Sequence, residues 1–201
     1  MLGTATCCLE TDETLVARSR AGDRLSLEEL FHRHHGVSHR VAYRLLGHEE
    51  DAKDAVQNGF IKAFRHLKDF DGRSVFRTWL IKIVTNSARD LGRSRRRRTY
   101  VSLSDSGDQD GEGIGSSGAA EASIDDDPSL QLRRQELAKI LNEALERLGG
   151  EKRTTFVLFV EAGLSYEEIS EVQGVPIGTV MSRIYYARQK LQTALQDVEG
   201  L

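Results

Sequence analysis

The sequence predicts an all-α fold of two helical domains, and three observations carry that prediction. Apolar residues recur three and four apart through both halves of the 201-residue chain, the spacing that lines one face of a helix. Only 2 prolines interrupt it, and nothing in the pattern resembles a strand-rich fold. Between the halves, residues 99–129 hold eight Asp and Glu, many Gly and Ser, and no Lys or Arg. Such a stretch cannot bury enough apolar surface to offset its ordering entropy.

The expected organisation is a tail over 1–10, a helical domain over 11–98, a disordered acidic linker over 99–129 and a second helical domain over 130–198. Charge follows the same division. The whole chain has 28 Lys and Arg against 31 Asp and Glu. With the eight linker acids set aside, 28 bases face 23 acids, so the folded parts are basic and suit a polyanionic partner.

The first helix is expected over about Asp12 to Arg20, ending at Ala21-Gly22-Asp23. The second covers about Ser26 to Leu46, burying Leu27, Leu30, Phe31, Val41, Leu45 and Leu46, and Gly47 stops it. The third, Glu50 to Leu67, buries Ala52, Ala55, Val56, Phe60, Ala63, Phe64 and Leu67, and its other face carries Asp51, Asp54, Gln57 and Asn58. Asp51 and Asp54 there suit the positive end of the helix dipole, and solvation alone accounts for the face.

The loop Lys68 to Ser74 leads into a fourth helix with Phe76, Trp79, Leu80, Ile83, Val84 and Leu91 inward and Arg73, Arg77, Lys82, Asn86, Arg89 and Arg93 elsewhere. It ends in Arg93-Ser-Arg-Arg-Arg-Arg98, five arginines in six residues, whose natural partner is a polyanion. Phe76 and Trp79 suit either the core or stacking on unpaired bases.

In the second domain, Ser165 and Glu168 form a capping box ahead of the inward Leu164, Ile169 and Val172. Gly174 stands where a chain leaving a helix needs positive φ, and Pro176 fixes φ for the next helix. Val180, Ile184, Ala187 and Leu191 make that helix's core stripe, leaving Thr179, Ser182, Arg183 and Tyr186 for its other side. This is helix-turn-helix chemistry. A helix so placed offers base edges to a major groove, with Arg183 the expected base contact and Arg188 and Lys190 the backbone contacts.

Enzymatic chemistry finds no foothold, since no phosphate-binding glycine loop, nucleophile elbow or His-carboxylate arrangement is present. His32, His34, His35 and His39 lack a completing ligand set, so neither a metal nor any other cofactor is expected. Cys7 and Cys8 are read as an exposed pair in the tail. No run is long and apolar enough to cross a bilayer and the start does not read as a signal peptide, so a cytoplasmic protein without membrane insertion is expected.

Taken together, Asp51 to Phe64, Phe70 to Leu80, Ile83 to Asp90 with the arginine run, and Pro176 to Arg183 closely resemble the extracytoplasmic function group of bacterial sigma-70 family RNA polymerase sigma factors. The resemblance implies a region 2 over 11–98 and a region 4 over 130–198. It assigns Asp51, Asp54, Gln57 and Phe60 to docking on the clamp helices of the largest catalytic subunit of core RNA polymerase. Asp69, Asp71, Arg73, Ser74, Arg77, Asn86, Arg89 and Arg93 fall to the minus-ten element, where a base is flipped from the stack. Thr179, Ser182, Arg183, Tyr186 and Arg188 fall to the minus-thirty-five element.

An anti-sigma partner is implied as well. Met181 and the pair Tyr185-Tyr186 depart from the pattern many members carry in the recognition helix. Gly59 also replaces a larger residue, which should weaken its helix by up to about 1 kcal/mol. The alternatives are a transcriptional regulator binding duplex DNA alone through 164–191, and a pure interaction protein. The loop at 69–77 and the arginine run argue against both.

Overall fold

The computed structural model describes residues 10–105 and 139–199. Among them every regular element is helical: α1 (Asp12–Arg20), α2 (Arg24–Leu46), α3 (Glu49–Arg65), a 3₁₀ turn (Leu67–Asp69), α4 (Phe76–Asp105), α5 (139–146), α6 (Gly150–Val160), α7 (Tyr166–Gln173) and α8 (Ile177–Glu199). The all-α expectation holds.

The ends follow local chemistry. The Asp23 carboxylate accepts from the Leu25 amide at 3.0 Å and so caps α2. Gly47 closes that helix at φ 73°, its amide donating to the Tyr43 carbonyl at 2.7 Å. At α7 both halves of the capping box form, the Ser165 amide donating to Glu168 at 2.8 Å and the Glu168 amide to the Ser165 hydroxyl at 3.2 Å. Gly174 then turns the chain at φ 66°.

One boundary differs from expectation. The fourth helix continues to Asp105, seven residues into the stretch read as linker, because Thr99 to Asp105 contains no Gly or Pro and the first glycine comes only at Gly107. The remaining linker, 106–129, and Cys7 and Cys8 lie outside the described residues.

The packing makes three clusters. Leu15, Leu30, Ala52, Val56, Phe60, Leu80 and Val84 centre the first, between α1, α2, α3 and α4. Ala144, Leu145 and Leu148 join Ala187 and Leu191 in the third, between α5 and α8. The second crosses the domain boundary: Val37 and Val41 of α2 and Ile81 of α4 pack with Leu158, Leu164, Ile169, Val180 and Ile184 of the second domain.

Gly59 has a packing reason. A Cβ there would stand 2.8 Å from Val84 Cγ2 and 3.1 Å from Val84 Cα, so the bare backbone is what lets α3 approach α4. Gly59→Ala should therefore destabilise by up to about 2 kcal/mol, since overpacking costs about 1–3 kcal/mol and better helix propensity returns about 1. The midpoint of urea unfolding checks this, and an unchanged or higher midpoint would show that the two helices can part freely.

Candidate polymerase and nucleic-acid interfaces

The helical period leaves Asp54, Gln57 and Asn58 exposed on α3, opposite its buried face. Asp54 has no ion pair among the described residues, so its charge is open to a partner. Asp51 is only partly exposed and pairs with Arg95 of the arginine run, tying the start of α3 to α4. Phe60, assigned by resemblance to docking, is 3% exposed, its ring centred 4.8 Å from Phe31 and 5.6 Å from Phe64. It shares the inward face with Val56 and Ala63, and that placement makes it a core residue rather than a contact.

Ahead of α4, the loop is shaped by its own side chains. The Arg73 amide donates to the Asp71 carboxylate at 3.1 Å, closing an Asx turn over Gly72 at φ 76°. Their side chains pair at 3.0 Å, yet Arg73 remains 91% exposed. Asp69 is exposed and bound to His66 at 3.0 Å, and Ser74 is partly buried.

Behind the loop, Phe70, Phe76 and Trp79 form an aromatic cluster with centroids 5.1 to 6.0 Å apart. Phe70 and Phe76 are buried and Trp79 packs against the core. The core option for these rings is the one realised. His34 lies 5.4 Å from Phe76 and bonds Asp12 at 2.7 Å, while His39 pairs with Glu49 at 3.1 Å. His35, stacked on His39, is held below its ordinary pKa by burial and by its neighbours His39 and His32.

Further along α4, Asn86 and Arg93 are exposed, and Arg93 pairs with Asp90 at 2.6 Å. Arg77 and Arg89 reach the second domain instead. The Arg77 guanidinium donates to the Ala162 carbonyl, and Arg89 to Glu151. Beside them the Thr78 hydroxyl donates to Glu168. Burial opposes the charged form of Glu168, but Thr78, Ser165 and Arg77 together hold its carboxyl below the usual range. Arg44 of α2 adds a bond to Glu161 at 3.1 Å and one to Asn142, and its carbonyl accepts from Arg153 at 2.7 Å.

On α8, Val180, Ile184, Ala187 and Leu191 are buried as expected. Arg183 does not point outward as expected but lies at the rim of the core. Its side chain is 19% exposed and donates to Glu151 at 3.2 Å and Gln173 at 3.1 Å. Thr179 is partly buried, while Ser182, Tyr186 and Arg188 are exposed. The Lys152 ammonium sits 3.7 Å from the Tyr186 ring centre, and Arg188 lies 5.1 Å from that of Phe159. Glu151 was not a candidate from sequence. It contacts both Arg89 and Arg183, which puts α4 and α8 within one side chain of each other.

Residues 30–98 match the Sigma-70 region 2 family, and residues 138–191 match the Sigma-70, region 4 family. The chain is 36% identical over 190 residues to the ECF RNA polymerase sigma-E factor of Escherichia coli, covering 94% of this chain and 96% of that one. It is 33% identical over 189 residues to the RNA polymerase sigma-H factor of Pseudomonas aeruginosa, covering 94% and 96%. Among solved structures, it is similar to the sigma factor RpoE from Bartonella quintana in complex with the anti-sigma factor NepR. That match has TM-score 0.63 and 25% identity and covers 84% of this chain and 96% of that one. Two helical domains, a basic α4 and a helix-turn-helix are thus explained together: the chain belongs to the extracytoplasmic function group of the sigma-70 family, RNA polymerase sigma factors that recognise promoter DNA and promote its opening for transcription initiation.

Proposed function

We propose that this sigma factor docks on the clamp helices of the largest polymerase subunit through the exposed α3 face of Asp54 and Gln57, with Asp51 at its edge. Sigma factors are non-catalytic specificity subunits, and the reading gives this chain no catalytic residue and no cofactor of its own. The domain over 11–98 handles the minus-ten element through Asp69, Asp71, Arg73, Ser74, Arg77, Asn86, Arg89 and Arg93. The domain over 130–198 reads the minus-thirty-five element through α8. Since the relative in the solved complex is bound to an anti-sigma factor, an anti-sigma partner belongs to the reading too. So does a cytoplasmic place beside RNA polymerase; among the described residues no helix is long and apolar enough to cross a membrane.

The observation that carries the reading is the division of polar surface. Asp54, Gln57 and Asn58 stand exposed together on α3, Asp54 without an ion pair among the described residues, whereas α4 exposes Lys82, Arg93, Arg96 and Arg97 and α8 exposes Arg188 and Lys190. The test is Asp54→Ala in a pull-down with core polymerase. Association should weaken about tenfold, the effect of about 1.4 kcal/mol, with the unfolding midpoint unchanged. Normal core binding by Asp54→Ala would remove the docking assignment.

The described arrangement fits the unbound protein. Elements named for positions about 25 base pairs apart lie about 85 Å apart at about 3.4 Å per pair. Arg89 and Arg183 cannot share Glu151 and serve both, so the domains must separate on the promoter.

A further inference from the structure

Near its start, the side of α8 left open by the fold carries a line of apolar residues. Ile177 is 42% exposed, Met181 53% and Tyr185 70%. At spacings of four they form one line along the helix. An exposed apolar line ordinarily points to a protein partner, but its surroundings point elsewhere. The sequence has no acidic residue between Glu171 and Asp197, and α8 carries Arg183, Arg188 and Lys190 over that length. Ser182 lies exposed beside the line, its hydroxyl turned back to the Thr179 carbonyl at 2.9 Å. The surface is therefore an apolar ridge in a basic field, complementary to a polyanion that itself displays apolar groups.

Duplex DNA is such a polyanion. In the major groove, thymine presents a methyl group, the apolar feature by which side chains such as Ala or Phe distinguish it. Arg183, the polar residue expected to read bases, is committed to Glu151 and Gln173 and stands at the edge of the core. We propose that Met181 and Tyr185 are specificity-determining residues that read thymine methyl groups in the upstream promoter element. This rests on the reading of α8 as the helix that enters the upstream duplex. Met181 supplies a flexible thioether chain that follows the groove wall, and Tyr185 supplies a ring whose hydroxyl keeps a polar partner.

The test uses the full chain with core RNA polymerase, on promoters selected from fragmented genomic DNA by initiation. In one such promoter, each upstream thymine is replaced in turn by uracil, which removes the 5-methyl group alone. Wild-type holoenzyme should bind about fourfold more weakly at one or two of these positions, the factor that about 0.8 kcal/mol per buried methyl group represents. Met181→Ala or Tyr185→Ala should bind the thymine and uracil forms alike at the matching position. Both side chains are exposed, and thermal melts check that the variants fold as wild type.

Equal binding of every uracil duplex by wild-type holoenzyme would overturn the proposal, as would discrimination that persists in both variants. Failure of the underlying reading looks different. In that case swapping whole upstream base pairs leaves binding and initiation unchanged.

Discussion

Phe60→Ala should lower the stability of the amino-terminal domain by about 3–5 kcal/mol, whereas Asp54→Ala, on the exposed face of the same helix, should stay within about 0.5 kcal/mol of wild type. The phenyl ring is 3% exposed and meets Phe31 and Phe64 edge-on, and its neighbour Gly59 already sits against Val84. Little can slide in to fill the hole, which puts the cost toward the high end of that range. Urea unfolding followed by circular dichroism reads the difference, paired with a core-polymerase pull-down on both variants. Should Phe60→Ala keep its stability and lose only polymerase binding, the ring would belong to the docking surface after all.

Ile81→Ala is expected to act on the junction between the domains. Ile81 is fully buried, but its cluster includes Leu158, Leu164, Ile169 and Ile184 of the other domain along with Val37 and Val41 of its own. Deleting its outer carbons costs about 2–5 kcal/mol. Much of that should fall on the association of the domains, where Arg153, which bonds the Arg44 carbonyl, also has its Nη2 buried with no hydrogen-bond partner among the described residues. Burial also disfavours the charge on Arg153. Small-angle scattering should show a larger radius of gyration for Ile81→Ala at unchanged helix content. A thermal midpoint that falls with no change in scattering would instead make Ile81 an ordinary core residue of one domain.

What was legible in the sequence was local. Ser165, Glu168, Gly174 and Pro176 act within a few residues of themselves, and the turn they predict is the one observed. The inward stripes of α3 and α8 follow from helical period alone. Arg183 was misplaced for a reason the same period contains: a step of about 100° per residue sets it beside Val180 and Ile184, at the rim of the core. Phe60 carried a role transferred by resemblance that its own apolar periodicity opposed.

The helices α5 and α6 were foreseen only as part of a helical domain, and the end of α4 was hidden because composition marked a linker before any residue that stops a helix. The junction was not readable at all. Its pairs join Arg89 to Glu151 and Arg44 to Glu161 across 62 and 117 positions, and nothing near either partner announces the other.

The shared carboxylate of Glu151 also bears on how the chain behaves when no polymerase accompanies it. Arginines facing water trade solvent and loosely held ions for backbone phosphates, and indiscriminate adhesion to a chromosome draws on that exchange. Here Arg89 and Arg183 already have an anion in hand, so arbitrary DNA offers them little improvement. While the two domains stay together, these two side chains should therefore add little to indiscriminate adhesion, and parting the domains returns Arg89 to it.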